Sequence, residues 1–128
     1  MKALLPLMYV GIGGAIGSLM RYGMTLLFPS QAGALPWGTF VSNVVGCLII
    51  GGVAGLAANS TVISLEIRLF VATGICGGFT TLSSLMFELA QFCQQGRYLF
   101  GSLYLSATVA GASIAFLAGM MIIKAIVR

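Results

Sequence analysis

The sequence predicts an all-α integral membrane protein of four transmembrane helices, the third broken in mid-membrane. Three observations predict it. The 128 residues are 59% hydrophobic and 6% charged, with a mean hydropathy of +1.10. Six basic and two acidic side chains cannot solvate the surface of a soluble domain of this size. The apolar residues fall into four runs, each near the roughly 20 residues that a helix needs to cross a bilayer. In the third run, Gly74-Ile75-Cys76-Gly77-Gly78-Phe79-Thr80-Thr81-Leu82-Ser83-Ser84 places three glycines and four hydroxyls inside apolar sequence. Lipid offers no hydrogen bonds, so backbone loosened there must face protein, an ion or a water-filled path.

The first run extends from about Leu4 to Phe28, and Pro29 to Pro36 reads as a short turn-rich loop. Trp37 suits an interfacial anchor. The second span covers Gly38 to Ala58, after which Asn59-Ser60-Thr61 opens a polar loop ending near Arg68. The third segment runs from about Leu69 to Cys93, Gln94-Gln95-Gly96-Arg97 makes a tight turn, and the fourth span covers Tyr98 to Ile123. Residues 1–128 thus form a single domain with both termini on one side. Lys2, Arg68, Lys124 and Arg128 lie on the side of the termini, against Arg97 and Arg21 opposite. This modest bias points to cytoplasmic termini.

Much chemistry is excluded. The chain has no His, and its acids are Glu66 and Glu88, so it lacks a His base, a carboxylate pair and a His-rich metal site. The net charge of +4 is too scattered for a nucleic-acid face. Cys47, Cys76 and Cys93 lie within apolar runs and read as small hydrophobes rather than disulfide partners. Gly11-Ile12-Gly13-Gly14-Ala15-Ile16-Gly17 looks like a nucleotide loop on paper but sits inside a membrane helix with no preceding strand. Those glycines are expected to permit tight packing near the break. Gly51 and Gly55, and Ala107, Gly111, Ala115 and Gly119, form small-residue faces. Their spacing does not separate packing within one subunit from a dimer seam.

The polar residues left inside the spans are the candidates for function. Arg21, several residues inside the end of span one, needs a partner or a reach to water. Asn43 in span two either ties helices together or donates to something in transit. Glu88, about two turns beyond the break, fits an aqueous vestibule or a pairing with Arg97. Ser83 and Ser84 follow Thr80 and Thr81 closely, so some hydroxyls must bond back to carbonyls while others face a lumen or partner. Carbonyls freed between Gly77 and Thr80 suit a hard monovalent cation. Hydroxyl and amide donors suit a small, strongly hydrated anion.

At these residues the chain resembles the Fluc (CrcB) family of bacterial fluoride channels. The matching pieces are Gly13-Gly14-x-x-Gly17-x-x-x-Arg21-Tyr22, Pro36-Trp37-Gly38-Thr39-x-x-x-Asn43-x-x-Gly46, and Gly74-x-Cys76-Gly77-Gly78-x-Thr80-Thr81-x-Ser83 with Glu88, followed by Gln95-Gly96-Arg97. The resemblance implies an antiparallel dual-topology dimer in the bacterial plasma membrane. It implies two fluoride pores along the subunit interface, through which cytoplasmic fluoride leaves passively. It also implies a structural sodium ion at the dimer centre, held by the carbonyls of Gly77 and Thr80. It maps the pore asparagine to Asn43, the hydroxyl track to Ser83 and Ser84, and the vestibular arginine and glutamate to Arg21 and Glu88.

Two departures stand out. The family's Thr-Thr-Phe-Ser-Thr-Phe reads Thr80-Thr81-Leu82-Ser83-Ser84-Leu85, so the two ring-bearing pore positions are Leu82 and Leu85, and a methyl group lacks the positive edge of an aromatic ring. Ala112 and Phe116 supply no hydroxyl where relatives often have one. Both homodimer and pairing with a homologous sister subunit fit these features. A proton-coupled multidrug transporter is the competing class. It requires a carboxylate carrier within the membrane, and span one has none.

Overall fold

The structure is a computed structural model describing residues 4–30, 34–58 and 63–127. The Asn59-Ser60-Thr61 loop, Lys2 and Arg128 lie outside the described residues. Among the described residues, four helices are long and apolar enough to cross a membrane: Leu4–Leu27, Trp37–Ala57, Leu65–Gln94 and Tyr98–Ile126. They match the four apolar runs, and the described residues contain no strand. The third span starts earlier than its hydropathy predicts. Leu65–Arg68 is already helical, started by Ser64, whose hydroxyl accepts from the Ile67 amide at 3.4 Å.

The boundaries follow from local chemistry. Pro36 precedes the second helix, where its missing N–H costs nothing, and its carbonyl accepts the first helical bond from Phe40 at 3.2 Å. The third and fourth helices are joined through Gly96, at φ +69°. Its amide bonds to the Cys93 carbonyl at 3.0 Å, and the Arg97 amide bonds back to Phe92 at 2.9 Å. That pair is the Schellman arrangement, which needs a residue comfortable in the left-handed region. The Arg97 guanidinium then lies over the Phe100 and Phe92 rings, 4.3 and 5.4 Å from their centroids.

Glycine sets how the helices pack. The first helix lies against the first half of the third so closely that a Cβ on Gly78 would sit 2.5 Å from the Gly14 carbonyl oxygen, and one on Gly74 would sit 2.8 Å from the Gly13 Cα. Gly13 and Gly17 face the Phe70 and Ile75 carbonyls in the same way. The second and fourth helices repeat the device, with Gly51 on Phe116, Gly55 on Met120 and Gly119 on Leu48. The small-residue faces are thus spent largely inside one subunit. Lipid supplies no hydrophobic drive between helices, so close backbone contact takes its place. The larger side chains of the core gather at one end, where Leu85, Phe92 and Tyr104 are buried against Leu35, Phe40 and Leu89.

The third span is one bent, jointed helix. Leu69–Cys76 is π-helical, Gly77–Phe79 returns to α, and Leu82–Gln94 continues beyond a joint at Thr80 and Thr81. Both joint residues are extended, Thr80 at φ −79°, ψ 155° and Thr81 at φ −153°, ψ 117°. The opening therefore falls on the two threonines rather than on the glycines. Gly74, Gly77 and Gly78 stay helical, and Gly74 and Gly78 serve the contact with the first helix. All three cysteines are free. Cys76 is buried and Cys47 half-buried, but Cys93 is exposed, unlike the small buried hydrophobe expected of it.

Candidate functional site

The joint lies about half-way along the third span, where each helical amide–carbonyl pairing it interrupts must be replaced. In a continuous α-helix each N–H bonds the carbonyl four residues back. The Thr81 amide would then reach Gly77, but it bonds to Asn43 Oδ1 at 2.7 Å. The Ser84 amide would reach Thr80, but it bonds to Thr81 Oγ1 at 3.1 Å. The Gly78 carbonyl, which Leu82 would have used, accepts from Arg21 Nε at 3.0 Å. Thr80 closes the preceding turn with both its amide and its hydroxyl on the Cys76 carbonyl, each at 2.9 Å.

Asn43 is 92% buried by this arrangement, its relative exposure being 8%. Besides accepting from the Thr81 amide, it donates Nδ2 to the Thr81 carbonyl at 3.2 Å. Its amide thus pairs with Thr81 as a neighbouring strand would. The sequence left open whether Asn43 ties helices or serves something in transit; within one subunit it ties the second helix to the joint. Arg21 likewise has a partner inside the protein, the Gly78 carbonyl.

Arg21 and Thr81 border a cleft of ≈ 240 Å³, lined also by Ser18, Tyr22, Thr25, Gly38, Thr39 and Ser84. It presents one cation and five hydroxyl side chains besides the Tyr22 phenol. Hydroxyls and a guanidinium supply donors for an anion, and no carboxylate lines the cleft to repel one. Ser84 is half-buried at its wall and receives the Thr81 hydroxyl at 3.1 Å. Ser83 shares a 3.1 Å hydrogen bond with the same Thr81 hydroxyl and is exposed.

Glu88 lies behind the cleft. Thr39 Oγ1 donates to its Oε1 at 2.5 Å, and Tyr104 OH donates to its Oε2 at 2.7 Å. Each carboxylate oxygen therefore has a donor from another helix, Thr39 from the second and Tyr104 from the fourth. Thr39 also lines the cleft, so the acid touches the cleft wall through one hydroxyl.

Leu82 and Leu85 part company. Leu82 is 68% exposed on the outer face of the third span, whereas Leu85 is 3% exposed in the subunit core beside Phe92 and Tyr104. One helical turn does not place both on one wall of a path within a subunit. Gly77 is exposed and Thr80 half-buried, so the joint opens toward the outside of the subunit.

Sequence reasoning passed over Thr39, Thr81 and Tyr104 as functional positions. Thr39 precedes Asn43 by four residues and shares its helix face, a spacing that marks a polar stripe. Tyr104 and Thr108 show the same i, i+4 spacing in the otherwise apolar fourth span, and both are buried, with the Thr108 hydroxyl on the Tyr104 carbonyl at 2.8 Å.

The fold and site define a multi-pass membrane protein built around a polar joint and a hydroxyl-lined cleft. The family model described as CrcB-like protein, Camphor Resistance (CrcB), matches residues 8–120. The chain belongs to that family. A relative from Chlorobium phaeobacteroides (strain DSM 266 / SMG 266 / 2430) is 45% identical over 124 residues, covering 97% of this chain and 96% of its own. Relatives from Chlorobium luteolum, 40% identical over 120 residues (94% and 93% covered), and Rhizobium etli strain CFN 42, 39% identical over 123 residues (92% and 95% covered), are similar along their whole length. All three bear the name "Fluoride-specific ion channel FluC".

Proposed function

We propose that this chain is a passive fluoride channel that lets cytoplasmic fluoride leave the cell across a bacterial plasma membrane. The observation that carries the reading is the cleft. It is a donor-rich space beside a jointed helix, in a chain whose relatives are named fluoride-specific ion channels. Fluoride is small and strongly hydrated, so a path for it must replace water with protein donors. Ser18, Arg21 and Ser84 offer such donors at one mouth, while the Thr25 and Thr39 hydroxyls are given to the Tyr22 carbonyl and to Glu88. Arg21 raises the local anion concentration, and Glu88, behind the cleft, fixes the Thr39 hydroxyl of its wall. The net charge of Arg21 without a facing carboxylate favours anions over cations at this mouth.

Two copies, antiparallel, complete the path. Gly77, Leu82 and Ser83 are exposed at the joint, and polar backbone turned to lipid costs several kcal/mol per group. A second copy, or a homologous sister subunit, covers that face and contributes Leu82 and Ser83 to the path. The sister-subunit reading draws support from Leu82 itself, which leaves this chain without a ring at its exposed pore position.

The same face suits a structural sodium ion. The Gly77 and Thr80 carbonyls lose their helical donors to Asn43 and Thr81. The described residues hold no cluster of His, Cys, Asp or Glu that would bind a metal, so carbonyl oxygens are the donors that fit a hard monovalent cation. Gly77 and Thr80 from each of two copies would hold it, and the ion would supply positive charge to oxygens left short of hydrogen-bond donors.

The test is fluoride efflux from liposomes holding the purified chain, measured with and without a proton gradient. Efflux that follows the fluoride gradient alone supports the channel. Efflux of a cationic drug driven by protons would replace it with a multidrug transporter. Flux that appears only with a sister subunit would assign the chain to half of a pair.

A further inference from the structure

The geometry at the joint points to two positioning residues that the proposed path had not required. We infer that Asn43 and the Thr81 hydroxyl keep the Gly77 and Thr80 carbonyls open by taking the amide protons that a continuous helix would deliver to them. The inference rests on the channel reading only for its functional consequence. Its structural content stands on the hydrogen bonds themselves.

The accounting is one donor per carbonyl. A straight helix through residues 77–84 would pair Gly77 with the Thr81 amide and Thr80 with the Ser84 amide. Asn43 Oδ1 holds the first of those amides at 2.7 Å. Asn43 Nδ2 holds the Thr81 carbonyl at 3.2 Å. With both backbone groups of Thr81 bound across to the second helix, the residue stays extended, at φ −153° and ψ 117°. The extended residue is then placed as the N-cap of Leu82–Gln94, and its hydroxyl holds the Ser84 amide at 3.1 Å. One asparagine on the second helix and one hydroxyl at the joint thus release one carbonyl each. Gly46 makes room for the arrangement, since a Cβ there would lie against the Thr80 methyl and 3.4 Å from the Phe79 ring.

This changes what an Asn43 variant means. A buried amide beside an anion path is readily read as a ligand of the ion. Here its oxygen and one nitrogen proton are committed to backbone, so an Asn43 variant alters the third helix besides removing the remaining amide proton. Thr81 is 8% exposed, and its hydroxyl is shared among Ser83, Ser84 and the Ser84 amide, so it too acts by holding the joint.

The experiment is carbonyl-labelled solid-state NMR on the full chain in bilayers, in sodium-free buffer, for wild type, Asn43→Ala, Thr81→Val and Thr81→Ser. In Asn43→Ala the Gly77 carbonyl is expected to shift to a helical, hydrogen-bonded value, with residues 80–81 moving toward helical backbone shifts. In Thr81→Val the Ser84 amide loses its capping oxygen, and residue 81 is expected to move toward helical backbone shifts as the Thr80 carbonyl takes that amide. Thr81→Ser restores the wild-type shift. In the companion efflux assay, Asn43→Ala and Thr81→Val need about tenfold more sodium for half-maximal fluoride flux, the scale of one hydrogen bond, and Thr81→Ser does not. Unchanged Gly77 and Thr80 carbonyl shifts in both variants overturn the inference. Should Asn43→Ala not fold, the Thr81→Val and Thr81→Ser pair decides. Absence of fluoride flux in wild type, both alone and with a sister subunit, would defeat the channel reading while leaving the carbonyl shifts to judge this one.

Discussion

The two halves of the third span solve opposite problems. From Leu69 to Phe79 the helix presses its backbone onto the first helix, and glycine is needed because there is no space for a side chain. From Thr80 to Ser84 it opens, and polar side chains are needed because the backbone has lost its own partners. Removing atoms makes the first region, and adding hydrogen-bonding atoms makes the second. Substitutions in the glycine seam should therefore act on folding, and substitutions at the joint on what crosses the membrane.

The largest effect expected is at the seam. Gly17→Ala places a methyl against the Ile75 carbonyl and 2.9 Å from the Phe79 amide nitrogen, both backbone atoms that cannot step aside. Overpacking of this kind costs about 1–3 kcal/mol or more, and the protein should lose its monodisperse peak on size exclusion. Gly11→Ala is the control. No atom beyond its own chain neighbours and helix backbone lies within 4 Å of its Cβ position, and the change should be neutral or stabilising by about 0.5–1 kcal/mol. Equal behaviour of the two variants would break the comparison.

The second prediction separates the two leucines. Leu85→Phe must fit a larger side chain into a site 3% exposed beside Phe92 and Tyr104, whereas Leu82→Phe projects from a site 68% exposed. Thermal unfolding in detergent should show Leu85→Phe destabilised by about 1–3 kcal/mol and Leu82→Phe close to wild type. Fluoride flux should respond to Leu82→Phe. The reverse ranking would place Leu85, not Leu82, on the path.

Tyr104→Phe comes next. It removes the 2.7 Å donor to Glu88 and leaves that oxygen unpaired in the subunit interior. Hydrogen bonds to charged groups contribute about 1.5–3 kcal/mol. The variant should lose stability on that scale and lower fluoride flux, with Thr39→Val showing a similar loss through the other oxygen. Intact stability and flux in both would mean that Glu88 does not support the cleft wall.

The smallest effect concerns Ser42. It is wholly buried, and its hydroxyl has no partner among the described residues. Ser42→Ala deletes a polar group that water would have solvated, so the protein should gain about 1 kcal/mol or remain unchanged. A clear loss of stability or flux would mean that this hydroxyl meets something beyond the subunit.

Most of the fold was legible because hydropathy and span length leave a membrane helix few alternatives. The four spans and the polar interruption in the third followed from apolar runs and from Gly74 to Ser84. The place of the joint did not. Glycine permits either a break or a close contact, and the side-chain pattern within the third span does not say which. The answer came from the first helix, whose Gly13, Gly14 and Gly17 already occupy that contact. Asn43 was recognised as a polar residue out of place, but its partners on the third helix are 38 residues away in sequence, and no spacing rule reaches that far. The resemblance paired Leu82 and Leu85 as the two ring-bearing positions, but on the helix Leu82–Gln94 only Leu85 meets the Phe92 and Tyr104 core while Leu82 stays exposed.

The most direct test compares fluoride with chloride in the same vesicles. Liposomes are loaded with both ions, the purified chain is reconstituted alone or with a sister subunit, and each ion is read by its own electrode. Rapid fluoride loss with chloride retained is the predicted result, since the cleft offers hydroxyl and guanidinium donors at a mouth suited to a small anion. Chloride leaving as fast as fluoride, or neither ion leaving under either condition, would contradict the assignment of the joint and its cleft to fluoride conduction.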